Sequence, residues 1–135
     1  MRFEGRVWKD GKLWLVEVPM LDVLTQGRTR KEALAMVVDA IESLVHQQGF
    51  RAKVYRSEKD TIEVGSPDIA ALTALMLRRQ REAHGLSLAE VSRRLGQTSR
   101  NAYARYEQGA SVPTMDKLQN LLSIVSGRDF VLRPA

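Results

Sequence analysis

The stretch LRRQREAHGLSLAEVSRRLGQTSRNAYARYEQGASVPTMDKLQNLLSI, residues 77–124, decides how this chain is built. Gly85 supplies the left-handed residue that ends one helix. Ser87, with Glu90 three residues later, opens the next as a capping box. That helix runs through Val91 and Leu95 and stops at Gly96. Ser99 is placed to cap a third helix, Arg100 to Gln108, which Gly109 closes. Thr114 caps a fourth, whose Met115, Leu118, Leu121 and Leu122 share an apolar face. The first helix begins upstream, where Asp68 is its cap, and carries Leu72, Leu75, Met76 and Leu77 through to Ala83. Four short helices with three tight connections form a compact all-α unit, a pattern that no catalytic fold explains as well.

Upstream of this unit the periodicity changes. Met1 to Trp8 and Lys12 to Val18 are runs rich in Val, Trp and Leu, joined at Asp10-Gly11, which predicts a type I′ hairpin. Trp14, Val16 and Val18 fall on one face of the second strand, and Pro19 ends its ladder. Leu21 to Gln26 reads as a third strand, and Gly27 as a turn. Thr29 and Glu32 form a capping box for a helix whose Leu34, Val37, Val38, Ile41, Leu44 and Val45 make an apolar stripe through His46, with Gly49 as its stop. Arg51 to Tyr55 and Thr61 to Val64 read as further strands around the polar segment Arg56 to Asp60. The order is summarised as β-β-β-α-β, an α+β unit. Gly65-Ser66-Pro67 interrupts both periodicities. The expected division is therefore 1–64, a linker and cap at 65–69, and a helical unit at 70–135 that ends in a short strand, Asp129 to Arg133.

Composition bounds the chemistry. The chain has 135 residues and no cysteine, so disulfides, thiolate metal sites and cysteine nucleophiles are excluded. His46 and His84 stand apart, as surface residues near helix C-termini rather than as a metal cluster. No apolar run reaches the roughly 18 to 20 residues of a membrane helix. No secretory-type start is visible either, so a cytoplasmic protein without a membrane partner is expected. The net charge of +5 is uneven. Residues 1–65 hold 11 basic and 10 acidic side chains, whereas residues 66–135 hold 10 and 6. Nine of the latter ten are arginine, the side chain that contacts phosphate and guanine edges in bidentate fashion, so the excess points to nucleic acid.

Over about residues 70 to 125 the chain resembles the Xre/Cro family of helix-turn-helix DNA-binding domains. The matching words are Gly85-Leu86-Ser87, Ala89-Glu90-Val91, Leu95-Gly96, Arg105-Tyr106-Glu107-Gln108-Gly109 and Ser111-Val112-Pro113-Thr114. The resemblance implies that the third helix enters the major groove, with Arg100, Asn101 and Arg105 at base-reading positions and Ser99 as an N-cap near a phosphate. Arginine reads guanine, asparagine reads adenine, and Ala102 suits a thymine methyl. Arg100 and Arg105 acting only on phosphate is the plainer alternative. Arg81 and Glu107 match a pair that joins the first and third helices, and are structural. Tyr103 is expected in the core and Tyr106 partly exposed. The sequence departs from the family at Leu88, where many members have glutamine; at Gln80, usually apolar; and at the turn Gly96 to Ser99, one residue longer than usual.

The run Leu24-Thr25-Gln26-Gly27-Arg28-Thr29-Arg30-Lys31-Glu32-Ala33-Leu34, after Val18-Pro19 and before Asp39-Ala40-Ile41, resembles the signature of HicB-type antitoxins over about residues 1 to 64. It departs at Met20 to Val23. The resemblance implies a partial RNase-H-like unit that binds a HicA-like, RNA-cleaving toxin. Together the two resemblances imply an antitoxin that represses its own operon as a homodimer or higher oligomer on double-stranded operator DNA. Pairing of Asp129–Arg133 with its twin would remove an unpaired edge. A metal-dependent nuclease would need converging carboxylates. The candidates Asp10, Glu17, Asp22 and Asp39 have turn, loop or surface explanations, so neither enzyme activity nor a cofactor is expected. The alternative is a stand-alone regulator whose first unit senses a ligand or oligomerises.

Overall fold

The computed structural model describes residues 1–96 and 100–135, with the backbone alone at Arg100. Five strands, β1 (Arg2–Asp10), β2 (Leu13–Val18), β3 (Val23–Gly27), β4 (Lys53–Glu58) and β5 (Thr61–Gly65), form one antiparallel sheet in the order β3-β2-β1-β5-β4. Helix α1 (Arg30–Val45) joins β3 to β4, and α2 (Ile69–Ala83), α3 (Leu88–Arg94), α4 (Arg100–Glu107) and α5 (Met115–Ser126) follow. The molecule is α+β.

Alternation decides which side of the sheet is covered. Phe3, Val7, Val16, Val18, Val23, Ile62 and Val64 are buried on the face toward α1, which buries Ala33, Val37 and Ile41 at four-residue spacing. Leu34, Val38, Leu44 and Val45 of the expected stripe are half-buried. Thr29 accepts a hydrogen bond from the Glu32 N–H at 3.1 Å and starts the helix. A Cβ at Gly27 would lie 2.4 Å from the backbone nitrogen of Ala33, so this glycine permits the close approach of helix and strand.

Several expectations are corrected. The two strands read at Arg51–Tyr55 and Thr61–Val64 both follow α1, so the summarised order β-β-β-α-β is one strand short and becomes β-β-β-α-β-β. Arg56–Glu58 continue β4 because an edge strand tolerates polar side chains, and only Lys59 and Asp60 turn. Asp10 ends β1, the first hairpin loop is Gly11-Lys12, and of these only Gly11 has positive φ, as the II′ class requires. Pro19–Leu21 form a 3-10 turn ahead of β3, and Asp22 takes a left-handed φ of 48°. His46, not Gly49, is the left-handed cap of α1. Met115 is exposed rather than core-facing.

No strand forms at Asp129–Arg133. Within the chain this tail is held by side chains rather than a ladder. Phe130 packs against the core beside a groove lined by Phe3, Met20, Met76 and Leu122, and Arg133 pairs with Glu4. Val131, which follows, is 90% exposed.

Helix α2 joins the two halves. Asp68 caps it by accepting from the Ala71 N–H at 3.0 Å, and Ala71 through Leu77 are buried without interruption. Four successive residues near its end then reach three places. Arg78 donates to the Leu44 carbonyl at the end of α1. Arg79 donates to the carbonyls of Leu21 and Asp22, at 3.1 and 2.5 Å, and pairs with the Asp22 carboxylate at 3.3 Å. Gln80 donates to the carbonyls of Pro19 and Met20, at 3.2 and 3.0 Å. Arg81 turns toward α4. A single apolar cluster runs from the sheet through α2 to α5.

Candidate nucleic-acid interface

The interface is built from α2, α3 and α4. Ser87 accepts from the Glu90 N–H at 3.1 Å and starts α3. Gly85 and Gly96, at φ of 68° and 71°, close α2 and α3. Val91 and Tyr103 bury the facing sides of α3 and α4.

Arg81 and Glu107 fix α4 against α2. The guanidinium meets the carboxylate through two bonds, Nε to Oε1 at 2.6 Å and the second nitrogen to Oε2 at 3.0 Å, and donates a third to the Leu86 carbonyl at 2.8 Å. The side chains are 13% and 7% exposed. The Glu107 carboxylate holds the Arg81 guanidinium above its ordinary range, and partial burial opposes this. Charge-assisted, bidentate geometry of this kind specifies orientation as well as attraction. Tyr103 lies beside the pair. Its hydroxyl is buried with no hydrogen-bond partner among the described residues, and burial, then the Glu107 charge, push its phenol above the ordinary range.

With Tyr103 and Glu107 turned inward, the opposite side of α4 faces solvent. Asn101, Ala102 and Arg105 are all exposed there and lie on one surface at helical spacing. That surface offers an amide, a methyl and a guanidinium, groups able to address adenine, thymine and guanine edges. Arg100 is the first residue of α4, and its side chain lies outside the described residues, as does Ser99. The turn expected to be one residue long in excess also falls partly at 97–99, outside them. Tyr106 is half-buried.

Arg93 and Arg94 at the end of α3 are exposed and share Glu90, so part of their charge is answered internally. The expectations for this surface did not include them, although two adjacent arginines closing a short helix were a visible signal. The roles of Arg79 and Gln80 were missed for a different reason, because their partners are main-chain carbonyls far away in sequence. Asp10, Glu17, Asp22 and Asp39 are not assembled: among the described residues no group of three or more His, Asp or Glu is placed to hold a metal ion.

Residues 77–124 match the family model of the helix-turn-helix. The match starts in the second half of α2, includes the last turn with Arg81, spans α3 and α4, and ends in α5. This helix-turn-helix segment is a double-stranded-DNA-binding element of the transcription-regulator class. It leaves the sheet, α1 and the first half of α2 outside the match. No curated protein matches the chain. Among the described residues, no helix is long and apolar enough to cross a membrane.

Proposed function

We propose that the chain is an antitoxin-type repressor: α4 reads operator DNA, and the sheet unit, taken as a partial RNase-H-like HicB domain, occupies a small HicA-like, RNA-cleaving toxin. The observation that carries the DNA half is the buried Arg81–Glu107 clamp, which holds Asn101, Ala102 and Arg105 outward on one surface. In this reading Arg100 and Arg105 take guanine or phosphate, Asn101 takes adenine, Ala102 meets a thymine methyl, and Ser99 lies at a phosphate. Two copies on a two-fold axis would place their reading helices about 34 Å apart, one helical turn of an inverted-repeat operator.

The toxin half is supported by the residue pattern Leu24 to Leu34 and by the side of the sheet that α1 leaves open. Trp8, Leu13 and Leu15 lie there between Arg6 and Glu17, a mixed apolar and charged surface suited to a protein.

Two measurements test the halves separately. Asn101→Ala should cost about 1–3 kcal/mol against an operator with adenine at the contacted position and little against one without it, read by fluorescence anisotropy. Equal loss on both would reject direct reading by Asn101. Native mass spectrometry of the protein isolated gently from its host should show a stoichiometric complex with a small basic protein that arrests growth when expressed alone. A bare homo-oligomer that still binds its own promoter would favour the stand-alone regulator.

A further inference from the structure

The two edges of the sheet are treated differently. Edge strand β4 carries Lys53, Arg56 and Glu58 and is interrupted by a bulge between Val54 and Arg56, two devices that discourage further pairing. Edge strand β3 reads Val23-Leu24-Thr25-Gln26-Gly27, has no charge and no bulge, and leaves Leu24 65% exposed. Its open hydrogen-bonding groups follow from the hairpin. Asp10 and Leu13 close the two-residue loop as a bonded pair, so Trp8–Leu15 and Arg6–Glu17 are bonded pairs too. Trp14, Val16 and Val18 therefore bond to β3 at Gly27, Thr25 and Val23. The N–H and C=O groups of Leu24 and Gln26 point away from the sheet.

From this edge we infer that β3 pairs with β3 of a second copy of the chain, antiparallel about a two-fold axis at Thr25, so that two sheets become one. An isologous contact puts each residue opposite its mirror position. Leu24 then stands opposite Gln26 of the second copy, and the two pairs exchange four main-chain hydrogen bonds. The exposed Leu24 side chains become diagonal neighbours on the open face. The same register carries Asp22 toward Arg28 of the second copy at both ends of the seam. Asp22 is half exposed beside Arg79, and Arg28 is exposed with no ion-pair partner among the described residues. The strand is thus uncharged where it must pair with itself and oppositely charged where its ends meet, a complementarity that selects a second copy over a foreign strand.

Hydrogen exchange of the purified full chain, followed from micromolar to millimolar concentration, tests this directly. The amides of Leu24 and Gln26 should exchange about tenfold more slowly at the high end. Gln26→Pro removes an outward N–H that the sheet does not use, and Arg28→Glu places like charges at the seam. Each should abolish the concentration dependence and lower the associated mass in sedimentation equilibrium, while Lys31→Glu leaves both unchanged. Exchange at Leu24 and Gln26 that is independent of concentration overturns the inference, including the case where only an added foreign protein protects them. So does association unaltered by Arg28→Glu, which decides the matter even if Gln26→Pro does not fold. Operator binding is not a readout here, so the result stands apart from the proposed function.

Discussion

Arg81 and Glu107 give up most of their water on folding, which makes each expensive to leave alone. Replacing either by alanine should destabilise the chain by about 3–5 kcal/mol in urea titrations, because the survivor is a buried charge without a partner. The double replacement should cost less than the sum of the two, and strict additivity would mean that the pair does not interact. Tyr103 makes the opposite case. Among the described residues its hydroxyl is desolvated without a hydrogen bond, so Tyr103→Phe should leave stability unchanged or raise it by about 1 kcal/mol. The same residue sets an alkaline limit. Its phenol titrates higher in the folded chain than the unfolded value of 10.0, so its contribution is fully present below that pH. Above it, the unfolded state loses the proton first, and stability should fall by up to about 1.4 kcal/mol per pH unit. Tyr103→Phe should remove that component from the pH profile of the melting midpoint.

At the scale of elements, caps and close approaches dominate. Thr29→Ala should cost about 1 kcal/mol, the ordinary value of an N-cap. Gly27→Ala should cost more, about 1–3 kcal/mol, since its methyl meets the backbone of α1 rather than a side chain able to swing away. Thermal melts that rank these two the other way would show that α1 slides on the sheet. The caps at Thr29, Asp68 and Ser87 were legible because each is settled within three residues by local chemistry. So were the four helices after Pro67, and the inward turn of Tyr103. The stop of α1 was not legible, because Gly49 is the stronger local signal and does take a positive φ, yet the helix has already ended at His46, itself left-handed. Nor was the extension of β4 through Arg56–Glu58, since an edge strand in solvent has no hydrophobic alternation to betray it. Thr114 shows how a cap position can be right and its bond different: the hydroxyl donates to the Asp116 carboxylate at 2.5 Å and makes no cap bond to the helix.

Over the whole molecule the continuous core predicts one cooperative transition. Both tryptophans, Trp8 and Trp14, belong to the first hairpin, whereas most helix lies beyond residue 68. Urea melts followed by tryptophan fluorescence and by far-ultraviolet circular dichroism should therefore coincide, and separated midpoints would show two independent units. Gln80→Leu tests the junction itself. It leaves the Met20 carbonyl without its donor and takes one of two donors from the Pro19 carbonyl, which keeps the Asp22 N–H, and should cost about 1–3 kcal/mol despite adding an apolar side chain. Sequence pattern marked Gln80 as out of place but not why, because its partners are some 60 residues away. Four successive residues near the end of α2 have a mechanical meaning. Each is turned about 100° from the last, so Arg78, Arg79, Gln80 and Arg81 act as spokes fastened to α1, the loop and α4. A spoked axle of this kind cannot spin in place without breaking a fastening on every side. Whatever happens at the sheet must then reach α4 as a tilt or a shift of the entire helix, never as a twist.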